Sequence, residues 1–321
     1  MTKTVSVILP VRNEEKHITR CLDSILIQDF PFEQLEIWIV DGMSEDGTRE
    51  IVRGYAEKYA NIKMIDNPQK ITPIALNMGI KMARGDVIVR MDGHAAYSKE
   101  YIKKCVEFLK KTGADNVGGV RQHLGFGFIG NSIALAEACR FGTGGAKFRT
   151  ATSEQYVDTV FPGAWPKSTF EKYGLFNEQL TRNQDIEHNS RIRKKGGKIF
   201  LSPEIQSLYY CRSNLKDLFI QNFRNGFWNI KTIKIAPGSL SSRHFLPLFF
   251  VLSLLTAWLV PWLWFCIAGS YLLCCLLYSA KIAFKHGEKY FFIMPLVLFT
   301  LHFSYGFGLL AGIFSFKKGN G

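Results

Sequence analysis

The chain has 321 residues, of which 47% are apolar, and it carries 40 Lys or Arg against 27 Asp or Glu, a formal charge of +13. This length allows one large domain or two ordinary ones. The positive charge is spread along the chain without zinc-finger spacing, a recognition-helix signature or an RNA-binding aromatic motif, which excludes nucleic acid as the expected partner and leaves anionic small molecules or a membrane surface.

Short apolar runs alternate with helical patterns over the first hundred residues. The runs are too continuous for half-exposed strands, which indicates a mostly parallel sheet with helices on both faces. The predicted strands cover residues 4–10, 35–40, 62–65 and 87–91, and the predicted helices between them cover 18–26, 48–59 and 72–83.

Acidic residues follow three of these strands. Glu14 comes after the first strand, Asp41 after the second, and Asp92-Gly93-His94 after the fourth. Open α/β sheets bind their ligands at the carboxyl ends of the strands, so Asp92 is a candidate for holding a metal or phosphate. A plain Asp-Gly turn is the alternative at this position. Asp46 is expected to cap the second helix.

Gly142–Lys147 superficially suggests a phosphate-binding loop, but its spacing is wrong and no strand precedes it. We therefore predict a flexible loop there. The region from Gly118 to Phe161 is rich in glycine and allows no clear assignment. Trp165, which follows it, is a candidate core residue.

A helix is predicted to begin at Asn183 or Gln184 and to end before Gly196-Gly197. Asp185 lies in its first turn, where the helix dipole favours an ionised carboxylate. The alternative for Asp185 is a capping role, with Glu187 as a solvated neighbour.

The seven cysteines show no Cys-x-x-Cys and no regular spacing, so we expect buried apolar side chains in a reducing compartment. The N-terminal sequence enters a strand at once and lacks a signal-peptide layout.

The last third of the chain is apolar in character. An amphipathic helix at 215–235 is typical of a segment lying at a membrane surface. Residues 245–280 are uncharged, and as a helix they would extend ~54 Å against a hydrocarbon core of ~30 Å. A turn near Pro261-Trp262 would divide them into two short spans, and 291–316 gives a further span. We predict boundaries of 1–214 for a catalytic domain, 215–244 for an interfacial segment and 245–316 for two or three transmembrane helices.

The lysines between the later spans, Lys281, Lys285 and Lys289, place that loop and the catalytic domain in the cytoplasm by the positive-inside rule. Lys317 and Lys318 would then lie outside, which conflicts with the rule. A re-entrant hairpin at 245–280 would remove the conflict.

Four ordered segments resemble those of family 2 glycosyltransferases with the GT-A fold: VSVILPVRNEE, IVDGMSEDGT, ALNMGIKMARGDVIVRMDGHA and RNQDIEHNSRIRKKGGKI. The resemblance covers about residues 1–235 and is closest to membrane-attached enzymes that build bacterial exopolysaccharides such as succinoglycan. It implies a nucleoside-diphosphate sugar as donor, a polyprenyl-linked saccharide as acceptor, and Mn²⁺ or Mg²⁺ as cofactor. It also implies a multi-pass protein of the inner membrane, in contact with membrane lipids.

The resemblance also implies roles for individual residues. Asp41 would accept a hydrogen bond from the donor's base, with Glu14 near the base or ribose. Asp92 would hold the cation across the two phosphates. His94 stands where the family often has a second aspartate, and three roles stay open for it: metal ligand, phosphate contact or lining of the site. Asp185 would be the general base of an inverting displacement. Trp165 lies in a segment that flanks the acceptor side in this family, so it would stack on a sugar ring unless it belongs to the core.

Two other functions are compatible with the sequence. A polyprenyl-phosphate glycosyltransferase has a phosphate as acceptor and needs no general base. A catalytically silent membrane component of a polysaccharide assembly complex would keep the fold as a scaffold, although it would not need three acidic residues at Asp41, Asp92 and Asp185.

Overall fold

The computed structural model of the chain describes residues 4–315, without the side chain of Trp258. Phe316, the last residue of the final predicted span, and Lys317 and Lys318, which follow it, lie outside the described residues. The described chain divides into two compact units. The first contains the residues through Gln122 together with Ala151–Tyr209, and the second contains His123–Thr150 together with the residues from Tyr210 onward.

Within residues 4–315 nine strands form one sheet. They are β1 (Val5–Val11), β2 (Leu35–Asp41), β3 (Ile62–Asp66), β4 (Val87–Arg90), β5 (Ala95–Tyr97), β6 (Asn116–Leu124), β7 (Gln155–Tyr156), β8 (Gly163–Pro166) and β9 (Ile199–Tyr210). The strand order is β3-β2-β1-β4-β8-β6-β9-β5, with β7 paired to β9.

The helices follow the predicted alternation over the first hundred residues. They are α1 (Ile18–Leu26), α2 (Thr48–Lys58), α3 (Thr72–Met82), α4 (Tyr101–Thr112), α5 (Gly127–Ala138), α6 (Arg140–Thr143), α7 (Lys147–Thr150), α8 (Ser168–Tyr173), α9 (Gln184–Lys194), α10 (Leu215–Ile235), α11 (Leu246–Thr256), α12 (Pro261–His286) and α13 (Tyr290–Ser315). Short 3₁₀ turns cover Phe32–Gln34, Ser242–His244 and Ala257–Leu259.

Helices cover both faces of the sheet, as predicted. Side chains of a strand point alternately to its two faces, and apolar residues on each face pack against helices. Val7 and Leu9 of β1 join a buried cluster with Ile18 of α1 and Ile102 of α4. Ile8, on the other face, lies so close to α3 that a Cβ on Gly79 would be 2.5 Å from its Cγ2.

Only the first half of the sheet is parallel. β1 to β4 pair in parallel, whereas β8 pairs antiparallel with β4 and β6, and β5 and β7 pair antiparallel with β9. The four residues between β4 and β5 are too few for the crossover that a further parallel strand would need. This short connection is the turn that carries Asp92 and His94.

In the second unit, α10 packs closely along α13 through glycine. A Cβ on Gly226 would be 2.0 Å from the carbonyl oxygen of Tyr305, and a Cβ on Gly308 would be 2.1 Å from that of Phe223. Small residues let two helix backbones approach in this way. The segment expected to lie at a membrane surface is therefore a 21-residue helix that packs against an apolar helix.

α12 and α13 are each 26 residues long and apolar enough to cross a membrane. α12 begins at Pro261, where the sequence predicts a break. Only 11% of its most apolar 18-residue stretch is buried in the described structure. α11, with 11 residues, extends ~16 Å and is too short to cross alone. The exposed apolar surface of α12 indicates a membrane protein.

The segment from α5 to α7 packs against these apolar helices. The Phe141 ring stacks on Tyr278 with centroids 4.8 Å apart, and the Phe141 carbonyl oxygen lies 2.8 Å from Nε2 of His302. The Phe128 ring stacks on Tyr290. The prediction of a loop at Gly142–Lys147 holds only for its middle: Gly142 and Thr143 end α6, residues 144–146 connect the two helices, and α7 begins at Lys147. A Cβ on Gly142 would be 2.1 Å from the Ala136 oxygen.

Candidate active site

The carboxyl ends of β1, β2 and β4 meet at one edge of the sheet. Val11, the last residue of β1, is level with Asp41 at the end of β2. The Met91 amide, just after β4, donates to the Ile8 oxygen at 3.0 Å. This register places the turns that carry Glu14, Asp41 and Asp92 at the same edge.

The turns after β1 and β2 are bonded to each other by backbone amides. The Asn13 amide donates to Ser44 Oγ at 2.9 Å, and the Glu14 amide donates to Thr48 Oγ1 at 2.7 Å. Asp46 accepts from the Thr48 amide at 3.0 Å, but the N-cap position of α2, predicted for Asp46, is occupied by Gly47. These bonds fix the path of the chain on both sides of Glu14.

Asp41 is fully buried at this edge, and both of its carboxylate oxygens have partners. Oδ1 accepts from the Ser44 hydroxyl at 2.5 Å, and Oδ2 accepts from the Ser44 amide and from Arg49. Arg49 also pairs with Asp66 at 2.9 Å, and its side chain is 20% exposed. Arg49 therefore reaches solvent from this part of the site together with Asp66, whose side chain is 47% exposed.

Asp92 is held by bonds to both its side chain and its backbone. Its Oδ1 accepts from Arg90 Nε at 2.9 Å, and its amide donates to the Tyr97 hydroxyl at 2.6 Å. The next residue, Gly93, lies against β1, since a Cβ there would be 3.0 Å from Val11 and 3.3 Å from Glu14. Glycine at this position brings the Asp92 turn close to Glu14.

His94 forms a pair with Glu14, with 3.0 Å between Nδ1 and Oε1. Burial lowers the pKa of His94, but the Glu14 hydrogen bond and the charges of Glu14 and Asp92 outweigh it and raise the pKa. The His94 side chain is 39% exposed. A carboxylate on one imidazole nitrogen orients the other for a metal ion, an arrangement common in metal sites.

Asp185 lies at the start of α9, after Asn183 in the left-handed conformation. Burial raises the pKa of Asp185; the Arg90 charge and the amides of α9 lower it, and the Asp92 charge raises it further. The net direction is upward, so burial outweighs the helix dipole that the sequence points to. A raised pKa suits a general base, because such a base works best with a pKa near the operating pH.

The sequence reasoning missed the arginines of this site. Arg90 is 5% exposed, its guanidinium lies 4.6 Å from the Phe161 ring, and its Nη1 has no hydrogen-bond partner among residues 4–315. The Arg121 guanidinium lies 4.0 Å from the Tyr209 ring, and the same ring contacts His94. A charged residue inside the apolar run Val87–Met91 was the available signal for Arg90.

Trp165 and Glu187 do not belong to this set. Trp165 is 3% exposed and packs against Phe170 and Phe176, so it is a core residue. Glu187 is buried and pairs with Arg191 at 2.7 Å, which excludes the solvated position considered for it. Arg191 in turn donates to the backbone before α9 and holds that helix in place.

The residues at the β4 turn fit a divalent cation. Asp92 Oδ2 and His94 Nε2 have no hydrogen-bond partner among the described residues, and each is a ligand type that Mn²⁺ accepts. Arg90 pairs with the other oxygen, Asp92 Oδ1, at 2.9 Å, which leaves Oδ2 as the oxygen available to a cation.

The family model described as "Glycosyl transferase family 2" matches residues 6–152. A glycosyltransferase of Methanococcus voltae, dolichyl N-acetyl-alpha-D-glucosaminyl phosphate 3-beta-D-2,3-diacetamido-2,3-dideoxy-beta-D-glucuronosyltransferase, is 30% identical over 98% of this chain and 99% of its own length. The succinoglycan biosynthesis protein ExoA of Rhizobium meliloti is 28% identical over 99% of this chain and 98% of its own length.

Solved glycosyltransferases share the fold. The mannosyltransferase PcManGT of Pyrobaculum calidifontis, solved with GDP-Man and Mn²⁺, has a TM-score of 0.61 at 20% identity, over 95% of this chain and 87% of its own. Staphylococcus aureus TarS 1-349, solved with UDP-GlcNAc, has a TM-score of 0.57 at 18% identity, over 98% of this chain and 92% of its own. The expected GT-A fold is thereby confirmed.

Proposed function

The chain belongs to glycosyltransferase family 2, and on that premise we propose that it moves a sugar from a nucleoside-diphosphate sugar to a hydroxyl of a lipid-linked saccharide during cell-surface polysaccharide synthesis. That the chain is a glycosyltransferase follows from the full-length similarity to named enzymes of this class. The donor, the acceptor, the residue roles and the membrane topology are parts of the proposal.

One observation carries the proposed site. Arg90 is bonded to Asp92, and the charges of Arg90 and Asp92 both act on Asp185. Residues that are 93 positions apart in the sequence, Asp92 and Asp185, therefore share one cationic neighbour. A sugar transferase needs this combination, because the departing diphosphate and the attacking hydroxyl both react at the anomeric carbon.

Each residue has a definite part in the proposed reaction. A Mn²⁺ or Mg²⁺ ion held by Asp92 and His94 would neutralise the charge that develops on the leaving diphosphate. Arg90 donates to the same diphosphate through Nη1, its donor without a partner in residues 4–315. Asp185 accepts the proton of the acceptor hydroxyl as its oxygen attacks, and a single displacement inverts the anomeric configuration.

Glu14 and Asp41 lie on the side of the site that would bind the donor's base and ribose. Glu14 holds His94 in the orientation that a metal ligand needs. Asp41 fixes Arg49, whose side chain is partly exposed beside the base. These two carboxylates thus orient the groups that contact the donor.

The composition of the segment from α5 to α7, in the second unit, supports an anionic acceptor that is confined to a membrane. Helices α12 and α13 hold this segment through Phe141, and it carries the cations Arg140, Lys147 and Arg149. Cations next to apolar helices suit an anionic substrate that is confined to a membrane. We propose a polyprenyl-linked saccharide for this reason, in a multi-pass inner-membrane protein whose catalytic part faces the cytoplasm.

The proposal is tested on the full chain purified in detergent. Melting temperatures are measured with UDP-, GDP- and dTDP-sugars, with and without Mn²⁺, because a bound ligand stabilises the native state. Asp92→Asn should remove the effect of Mn²⁺, whereas Asp185→Asn should keep donor binding and lose ~10²–10⁴-fold in transfer rate. Glu204→Gln, an exposed acid paired with Lys104, is the control for charge loss.

Other outcomes would favour the other functions. Near-full transfer by Asp185→Asn would indicate a phosphate acceptor, which needs no base. A wild-type protein that binds no sugar nucleotide and transfers none would support the scaffold. A product with the donor's own anomeric configuration, seen by NMR, would refute the single displacement.

A further inference from the structure

Three ligand-type side chains of the second unit, none of them assigned to the proposed reaction, lie close together. His123 lies near the end of β6, Glu137 in α5 and Cys211 directly after β9. His123 Nδ1 is 3.0 Å from Glu137 Oε2, and Cys211 Sγ is 3.4 Å from each of these atoms. We propose that these three atoms bind a zinc ion.

The distances fit zinc coordination. A point equidistant from the corners of this triangle lies about 1.9 Å from each, and zinc bonds are ~2.0–2.1 Å to nitrogen, ~2.0–2.2 Å to carboxylate oxygen and ~2.3 Å to sulfur. An ion slightly above the plane of the three atoms reaches all of them with small side-chain shifts. Water would then be the fourth ligand of a tetrahedral site.

Proton counting favours a cation over hydrogen bonds alone. With Glu137 ionised, neutral His123 and Cys211 offer at most two protons, one on Nδ1 and one on Sγ, for the three contacts of the triangle. Two contacts become hydrogen bonds in that case, and the third is a close approach between sulfur and nitrogen. A zinc ion replaces both protons and engages all three atoms at once, since thiolate and neutral imidazole are its usual ligands.

Burial supports the site. The side chains of His123 and Glu137 are 1% and 6% exposed, and Cys211 is 7% exposed. Bulk water therefore competes weakly for an ion there. Arg149 Nη1 is 3.8 Å from Glu137 Oε2, beyond hydrogen-bond distance from that oxygen, and it would remain an outer partner of the carboxylate.

The consequence is structural. His123 and Cys211 lie 88 positions apart and flank the chain where it enters and re-enters the second unit, and Glu137 belongs to the segment packed against the apolar helices. Zinc would tie these three segments together. Cys211 stays reduced and available as a ligand in the reducing compartment that the cysteine pattern indicates.

The test is the metal content of the full chain, purified without added zinc and dialysed against metal-free buffer. We expect about one zinc ion per wild-type chain, as for a structural site. The ion should be lost in Cys211→Ser and His123→Ala, with affinity lowered more than ~10-fold. It should be retained in Cys139→Ser, whose sulfur lies outside the triangle, and in Asp92→Asn, which alters the donor site.

A second measurement does not depend on the folding of a variant. Co²⁺ added to the metal-free wild-type protein should give a sulfur-to-cobalt charge-transfer band, and Zn²⁺ should raise the melting temperature. A wild-type protein with no zinc, no such band and no zinc-dependent stabilisation would overturn the proposal and leave a proton-bonded His-Glu-Cys cluster. Zinc that is lost in Asp92→Asn but kept in Cys211→Ser would equally refute it.

Discussion

Replacing Arg90 by methionine removes the guanidinium shared by Asp92 and Asp185 and keeps an apolar side chain of similar length. Asp92, whose side chain is 9% exposed, would lose the 2.9 Å ion pair with Arg90 Nε. Removing one partner of a buried pair costs ~3–5 kcal/mol, because the remaining charge is uncompensated. We therefore expect a clearly lower melting temperature in metal-free buffer.

The same substitution should impair catalysis more than binding. Loss of a preorganised donor to a developing anion costs ~10²–10³-fold in kcat, with a smaller change in KM. Saturating Mn²⁺ with the sugar nucleotide should restore part of the lost melting temperature of Arg90→Met, because the cation compensates Asp92. The assay is therefore a pair of measurements, steady-state transfer and melting with and without Mn²⁺ and donor.

Arg191→Met is the matched control for stability. This substitution breaks the ion pair with Glu187 in α9, so the melting temperature should fall. Adding Mn²⁺ and donor should then raise the melting temperature of Arg191→Met by no more than it raises that of the wild type. If Arg90→Met keeps kcat within about twofold of the wild-type value while its melting temperature falls, Arg90 only compensates Asp92, and the proposed contact with the diphosphate is wrong.

Three further results are expected. Asp185→Asn should lose ~10²–10⁴-fold in transfer rate yet melt at a higher temperature than the wild type at neutral pH, because burial makes the ionised carboxylate costly. In the wild type, kcat/KM should rise with pH through a pKa above the ordinary value of Asp, and an acid limb at the ordinary value would contradict this. His94→Ala should weaken Mn²⁺ activation ~10-fold, as a ligand loss should, and metal titrations of activity that match the wild type would exclude ligation. Gly226→Leu should destabilise the chain by ~1–3 kcal/mol or more, since a Cβ there would meet the Tyr305 oxygen at 2.0 Å, whereas Gly269→Leu, with open space around it, should melt like the wild type.

The edge of the sheet could be predicted from sequence because parallel strands end together. Continuous apolar runs located β1 to β4. Because these strands pair in parallel, the turns that carry Glu14, Asp41 and Asp92 lie at the same edge of the sheet. The insertion of β8 beside β4 could not be predicted in this way. It depends on antiparallel pairing over a long separation, and β8 has only four residues with no alternating pattern.

The electrostatics of the site depended on contacts that no local pattern encodes. The helix position of Asp185 suggested a stabilised charge, but burial decides the direction of its pKa. Asp41 lies in a segment that resembles a family motif, but its hydrogen bond with Ser44 and its ion pair with Arg49 are seen only in the structure. Cys211 seemed an ordinary apolar cysteine because His123 and Glu137 are distant in the sequence.

The contacts of Phe141 with Tyr278 and His302 limit where the chain can be shortened. A protein shortened after residue 244 would lose not only the glycine-lined partner of α10 but also Tyr278 and His302, which hold the segment inserted between β6 and β7. Phe128 and Phe141 would then lose their stacking partners Tyr290 and Tyr278. Deleting the apolar helices should thus yield an aggregating fragment and no soluble enzyme, and swapping them for another anchor should fail unless residues 127–150 are exchanged with them.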